Sequence, residues 1–334
     1  MATIRDVAKR AGVSTATVSH VLNGTRFVSD ETRLAVTEAI HALSYHPSAI
    51  ARSLSLRRTY TIGMVASHTT SVFFGEMSRG VIDAISPQGY KLLLCSTEDD
   101  PVLVEEYLRI LLGRTVDGFL TAAVSQNATT LRLLATANVP VVFVDLTFAG
   151  MLGPFVGVDN TGGMHLAVSH LVRHGHRRIG LLAGPADMSS MHERFTGYRR
   201  ALDDHGIPFD ELLVRFCNLT VAAGCAAAVD LLRDMPLPAA LIGNDNNMLL
   251  GIMRALAELR LRCPDDVAVL GFDEHPWASV MTPPITVVRQ PSYEIGRVAG
   301  VMLIKMLAGE PVDVACTRLQ PELIVRESCG EGRS

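Results

Sequence analysis

Apolar residues between Thr3 and Leu43 recur at helical spacing in three short runs. Ile4, Val7, Ala8 and Ala11 fall at i, i+3, i+4 and i+7, and Thr3 with Asp6 forms a capping signal ahead of them. Gly12 supplies a left-handed stop. Ser14 caps the next helix, whose inner stripe is Val18, Val21 and Leu22. Thr15, Ala16, Ser19, His20 and Asn23 are left on its outer face. Ser29 opens a third helix with Thr32, Ala35, Val36, Ala39, Ile40 and Leu43 on one side. That helix ends before Tyr45-His46-Pro47, because proline disfavours helix at the residue before it. Two helices across a tight turn, followed by a third, is the build of a DNA reader whose second helix enters the major groove.

From Tyr60 onward the period changes. Ile62–Ala66, Leu92–Cys95, Gly118–Ala122 and Val139–Asp145 read as buried strands, with helices over Phe73–Ser86, Pro101–Leu112 and Ala128–Asn138 between them. The pattern then repeats. Strands are expected at Ile179–Ala183, Leu212–Phe216, Ala239–Ile242 and Val267–Gly271, and helices at about Met191–His205, Thr220–Met235 and Asp245–Leu259. This is an α/β arrangement of βαβ units with a parallel sheet, made twice. Two lobes imply a cleft at the C-terminal ends of their strands. The segment after Pro291 (a helix over Tyr293–Leu307, then Leu319–Val325) is expected to return to the first lobe and finish in the second.

Composition refines the picture. Apolar residues make up 48% and charged residues 19% of 334, enough for a large core. The net charge of −4 speaks against a nucleic-acid binder until it is divided. The first sixty residues hold eight Lys/Arg and four Asp/Glu, so a basic head is joined to an acidic body. The six cysteines make no C-x-x-C pair and read as scattered reduced thiols. There is no apolar run of about 18 residues and no signal-peptide pattern, so a cytoplasmic protein with no membrane partner is expected. No phosphate loop, dinucleotide fingerprint, nucleophile elbow or H-E-x-x-H motif is present, so neither catalysis nor a cofactor is expected. His170 and His174 share a helix face with His176 nearby. A polar helix end explains them better than a metal site, since no carboxylate or cysteine completes a set.

Polar residues that end apolar strands are the candidates for a cleft. Asp145 follows Val-Val-Phe-Val, Asn244 and Asp245 follow Leu-Ile-Gly, and Asp273 follows Leu-Gly-Phe; Arg194 and Gln290 join them. Asp245 reads equally well as a helix cap. Carboxylate, guanidinium and amide groups suit the adjacent hydroxyls of a sugar, polyol or sugar acid. Phe73 and Phe74 stand at the mouth of the first lobe, to stack on a ring or to serve as core. Trp277 is a further stacking candidate.

The run from Thr3 to Asn23, with Val28-Ser29, Thr32-Arg33 and Leu43-Ser44-Tyr45-His46-Pro47, resembles the lactose-repressor (LacI/GalR) family of bacterial transcription regulators. The likeness extends to about residue 327, and the head is most similar to the family's purine-responsive branch. The resemblance implies DNA contact by Thr15, Ala16, Thr17, Ser19, His20, Asn23 and Arg26. It also implies a hinge helix over residues 48–56, in which Ser48, Ala51 and Leu54 enter the minor groove and Leu54 wedges a base step. Nine residues are too few for a stable isolated helix, so the hinge is expected to order only with DNA and the dimer. The implied domains are a head (1–46), a hinge and linker (47–59), a periplasmic-binding-protein-like core (60–327) and a tail (328–334). Within the core the first lobe takes about 60–160 and 291–319, and the second about 161–289 and 320–327.

In the family, the residues matching Arg194 and Asp273 hold the effector, and Asn244 matches an asparagine of sugar-responsive members. Met188, Ser190, Leu219 and Leu146 stand where purine-responsive members have arginine, threonine, phenylalanine and tryptophan. A homodimeric repressor on a near-palindromic operator follows, governed by a sugar-type effector, with a purine or nucleoside as the rival. A sugar-binding transport protein shares such a body but has no use for the head.

Overall fold

The computed structural model describes residues 2–24, 26–45, 58–122, 128–148, 151, 153–233, 238–312 and 316–330. The chain forms two compact units, Met1–Tyr60 and Thr61–Ser334.

The head contains α1 (Ile4–Ala11), α2 (Thr15–Asn23) and α3 (Asp30–Ala42). Each starts on the expected cap. Thr3 and Asp6 close a reciprocal capping box, Ser14 accepts from the Thr17 amide, and Ser29 from the Thr32 amide. Gly12 and Gly24 end α1 and α2 with φ of 67° and 63°. Val7, Ala8, Val18, Val36 and Ala39 form the head's small core. The expected hinge helix, with Ser48, Ala51 and Leu54, lies outside the described residues.

The core holds twelve described strands in two six-stranded sheets. In chain order they begin with β1 (Thr61–Ala66), α4 (Val72–Ile85), β2 (Lys91–Ser96), α5 (Pro101–Ile110), β3 (Gly118–Thr121), α6 (Ala128–Ala135), β4 (Val141–Val144) and β5 (Phe155–Val158). The second lobe follows with α7 (Asn160–Arg173), β6 (Ile179–Ala183), α8 (Ser189–Asp204), β7 (Val214–Phe216), α9 (Val221–Arg233), β8 (Ala240–Gly243), α10 (Asn246–Leu259), β9 (Ala268–Phe272) and β10 (Thr286–Arg289). The chain closes with α11 (Ser292–Ala308), β11 (Cys316–Leu319) and β12 (Glu322–Ile324). The sheet orders are β11-β5-β4-β3-β1-β2 and β12-β10-β9-β8-β6-β7, so the two lobes repeat one topology.

Every described pairing is parallel except β10 with β12, where Val287 faces Ile324 in an antiparallel register. The expected parallel sheets are thus present, with that one edge pair as the exception. Two residues separate β11 from β12, and so short a link leaves no crossover segment to set β12 parallel. The chain passes between lobes three times, at Asp159, at Gln290-Pro291 and at Gln320-Pro321.

Both faces of each sheet are covered. On the first lobe α4 and α11 bury Met77, Val81, Ile295, Ala299 and Leu303 against β1, β3, β4 and β5. These two helices touch through glycine. A Cβ on Gly80 would lie 2.0 Å from the Tyr293 carbonyl oxygen, and one on Gly296 would lie 1.9 Å from that of Met77. Side chains at either position would force the helices apart.

Candidate functional site

The strands of both lobes point their C-terminal ends at a cleft of about 1210 Å³. Two acids mark equivalent places in it. Asp145 follows β4 and Asp273 follows β9, both in left-handed conformation with φ of 65° and 77°. Non-glycine residues adopt that region sparingly, and aspartate is among those that tolerate it. The turn ends each buried strand by aiming a carboxylate into the space between the lobes.

Arg194, on the first turns of α8, lies near both acids and is 2% exposed. Its Nε donates to Asn160 Oδ1 at 2.8 Å and its Nη1 to the Asn244 carbonyl at 2.6 Å. Its guanidinium lies 3.7 Å over the Phe272 ring, and Nη1 is 3.8 Å from Asp273 Oδ2. Gln290 Nε2 donates to Asp273 Oδ1, which leaves Gln290 Oε1 buried and without a partner. The Thr147 amide donates to Ser189 Oγ at 2.8 Å, a bond across the cleft.

A second layer ties this group to the chain crossings. Glu193 accepts from Asn160 Nδ2 at 3.0 Å and from Arg318 Nη1 and Nη2 at 2.9 and 2.6 Å. Arg318 belongs to the first lobe's sheet and Glu193 to a helix of the second. The pair therefore bridges the lobes at two of their three crossings.

Burial pushes the Asp145 carboxyl up to about 7, against the attraction of Arg194 and with the repulsion of Asp273. Burial likewise raises Asp245 to about 6, although it caps α10 by accepting from the Met248 amide at 2.7 Å. His68 on the first-lobe wall is held by Glu98 at 2.9 Å and Asp99 at 2.8 Å. Partial burial lowers its pKa, but the two carboxylates outweigh that and leave it raised.

Of the seven residues expected to hold a ligand, Phe73, Phe74, Asp145, Arg194, Asp273 and Gln290 line the cleft. Asn244 does not. It is fully buried, both its amide atoms lack partners, and only its main-chain carbonyl meets Arg194. Phe74 is largely committed to the first lobe's core, with its ring in edge contact 5.1 Å from Phe73. Trp277 packs against the second lobe's core and is not among the described lining residues. Sequence reasoning missed His68, Glu98, Asp99, Phe148, Asp187 and His275, all of which line the cleft. They sit on loops after unrelated strands and share no spacing.

The histidines at the end of α7 are occupied otherwise. His174 Nδ1 lies 2.9 Å from the His170 carbonyl oxygen, and His176 Nε2 lies 2.7 Å from that of Cys329.

In the head, Thr15, Ala16 and Arg26 are exposed, while Thr17, Ser19 and His20 are half-buried. The Thr17 hydroxyl is bonded to Ser14 Oγ at 2.9 Å, within the helix cap. The Asn23 side chain lies outside the described set.

A trihelical reader followed by a two-lobed binding core defines a DNA-binding regulator with a small-molecule sensor. The family profile of bacterial regulatory proteins of the lacI family matches residues 3–48, and that of periplasmic binding protein-like domains matches residues 168–329. The HTH-type transcriptional repressor PurR of Vibrio atlanticus (strain LGP32) is 35% identical over 329 residues, spanning 98% of each chain. Its counterpart in Haemophilus influenzae (strain PittEE) is 35% identical over 337 residues, again with 98% of each chain covered. Among solved structures, the transcriptional regulator CelR in complex with cellobiose matches with a TM-score of 0.76 at 34% identity, over 98% of this chain and 100% of that one. The lac repressor dimer bound to operator and the anti-inducer ONPF matches with a TM-score of 0.88 at 26% identity, over 98% and 99%. The chain belongs to the lacI family of bacterial regulatory proteins and is a DNA-binding transcriptional repressor of that family.

Proposed function

We propose that this repressor acts as a cytoplasmic homodimer on a near-palindromic operator and is controlled by a small, hydroxyl-rich effector of sugar type bound between its lobes. The observation that carries the effector class is Arg194, fixed by Asn160 and Phe272 close to Asp145, Asp273 and Gln290. Fixed acceptors and one planar cation suit paired hydrogen bonds to adjacent hydroxyls. Phe73 supplies an apolar face for a ring.

Thr15, Ala16 and His20 would read base edges, with Thr17, Ser19, Asn23 and Arg26 in supporting contact. Ser48, Ala51 and Leu54 would enter the minor groove. Dimerisation is supported by the apolar side chains that the first lobe leaves exposed. Leu93 and Leu94 on edge strand β2, with Ile82 on α4, each keep about 40% of their surface open.

The test is a thermal-shift screen of the full chain against neutral sugars, sugar acids and purines, followed by operator gel shifts over a salt series. Ligand at a hundred times its Kd should add about 2.7 kcal/mol to the core's stability. Operator affinity should fall steeply with salt. The same effector must change operator affinity by the factor by which operator changes effector affinity. Equal effector affinity with and without operator would refute the coupling.

A purine effector is the second reading, favoured by the relatives named as PurR repressors. The wall contributed by α8 and the β7–α9 loop tells against it. It offers Met188, Met191 and Leu219, so no described ring there faces Phe73.

A further inference from the structure

We propose that the cleft selects against negative charge, taking a neutral or amine-bearing polyhydroxyl ligand and rejecting its phosphorylated or carboxylated forms. The proposal rests on reading the cleft as the effector site, and it narrows that reading from sugars and sugar acids to uncharged or cationic ones.

The charge balance of the wall is lopsided. Glu98, Asp99, Asp145, Asp187, Asp245 and Asp273 line the cleft, and Arg194 is the only lysine or arginine among its described lining residues. Arg194 has only its Nη2 end uncommitted, and its charge is already matched by Asp273. Its Nε and Nη1 are taken by Asn160 and the Asn244 carbonyl, and Asp273 already stands 3.8 Å away. His68 has both ring nitrogens engaged, by Glu98 and Asp99. No described cation facing the cleft is therefore left uncompensated.

The unsatisfied groups point the same way. Gln290 is 5% exposed, and its Nε2 is committed to Asp273, so the orphaned atom of this lining residue is the acceptor Oε1. A carboxylate only accepts, which fixes the orientation of that amide. Asn246 Oδ1 is a second buried acceptor without a partner, and His275 Nδ1, likewise unpartnered, accepts or donates according to its tautomer. A ligand that donates hydrogen bonds, through hydroxyl or ammonium groups, satisfies these atoms. A carboxylate, or a fully ionised phosphate, standing in place of such a hydroxyl presents only acceptors and leaves these atoms unpaired.

Helix N-termini also face the cleft and would favour an anion. Most are already answered by their own side chains. Ser71 accepts from the Phe74 amide at the start of α4, Thr220 from the Ala223 amide at the start of α9, and Asp245 from the Met248 amide at the start of α10. The start of α8, at Met188–Ser189, lacks a side-chain cap, and it opens on a cleft whose lining holds six carboxylates. Two of the cleft's acids resist ionising. Asp145 is pushed up to about 7 and Asp245 to about 6, burial being the largest cause and Asp273 a contributor in both. A site that disfavours its own negative charge disfavours a visitor's.

The test uses the full chain and matched probes by calorimetry: glucose, galactose, ribose and cellobiose; glucosamine; glucose 6-phosphate and glucuronate; hypoxanthine, guanine and inosine 5′-monophosphate. Each anionic probe is expected to bind at least about ten-fold more weakly than its uncharged parent, a difference of about 1.4 kcal/mol. An anionic probe that binds as tightly as its parent overturns the proposal. Hypoxanthine or guanine binding while inosine 5′-monophosphate fails upholds the charge rule but sinks the sugar reading, so the two fail separately. A second measurement needs no known effector. Inorganic phosphate titrated to millimolar concentration should leave the amide resonances of Ser189 and Ser190 unmoved. Saturable shifts at those amides overturn the proposal even if no probe binds.

Discussion

Replacing Asp145 with asparagine should make the unliganded protein more stable at neutral pH. The perturbation is confined to charge, since asparagine has the same shape and tolerates the φ of 65° found there. Burial raises the carboxyl from 3.8 to about 7, Arg194 opposes the shift, and Asp273 reinforces it. Below about pH 4 the carboxyl is protonated in both folded and unfolded chains and contributes nothing. Between about pH 4 and pH 7 the folded protein keeps a proton that the unfolded chain has lost, so stability falls as pH rises. Above about pH 7 the full penalty of a buried carboxylate is present. At about 1.4 kcal/mol per pH unit the penalty comes to about 4 kcal/mol. Asp145 keeps partial contact with water in the cleft, so we halve this to about 2 kcal/mol. The melting temperature of Asp145→Asn should therefore exceed that of the wild type by about 4–8 °C near pH 8. The gain should vanish near pH 4, and the same variant should bind effector more weakly. Thermal melts of both full-length proteins across that range decide the matter. A variant less stable near pH 8, or a gain that does not change with pH, refutes the reasoning.

His170 should produce the opposite slope. Burial, with His174 and Arg173 beside it, lowers its pKa from 6.5 to about 4. The unfolded chain gains a proton that the folded one refuses as pH falls through that window, with a loss of up to about 3 kcal/mol. Urea midpoints of His170→Gln should depend less on pH between about 4 and 6.5 than those of the wild type. Glu193→Ala frees Arg318 and the Asn160 amide together, and should cost about 1–2 kcal/mol after allowance for partial exposure, read as a lower melting temperature. An unchanged melt would mean the bridge between lobes contributes nothing. Gly80→Ala sets a methyl 2.0 Å from a main-chain oxygen, so α4 and α11 must separate at a cost of about 2 kcal/mol. A fully stable variant would contradict so close a crossing.

Local chemistry made the head legible. Thr3, Ser14 and Ser29 each announce a helix through bonds that span three residues, and all three bonds form. The long strands of the core were legible as apolar runs. Those at Phe155–Val158 and Thr286–Arg289 were missed because Gly157 interrupts one apolar run, and Thr286 and Arg289 leave only two apolar residues in the other. Asp145 and Asp273 stood out because a charge closing an apolar run must face water or a ligand. Asn244 closes such a run too, but its side chain turns inward while its carbonyl takes the Arg194 bond, and sequence alone does not tell those outcomes apart. The trio of His68, Glu98 and Asp99 was invisible because the histidine lies thirty residues before the acids and meets them only when β1 and β2 pair.

The threefold passage of the chain between the lobes bears on inheritance. Neither lobe is a continuous stretch of sequence. The first needs α11 and β11 from beyond residue 290, and the second takes β12 after that. A fragment ending at Asp159 would lack the helix that fills one face of its sheet, together with an edge strand. Recombination therefore cannot exchange one lobe between two such genes by a single cut. The head is different, since it is one uninterrupted segment with its own packed interior. One cut can divide the gene between reader and sensor but not within the sensor, so a reader or a whole sensor can be acquired at once while a single lobe cannot.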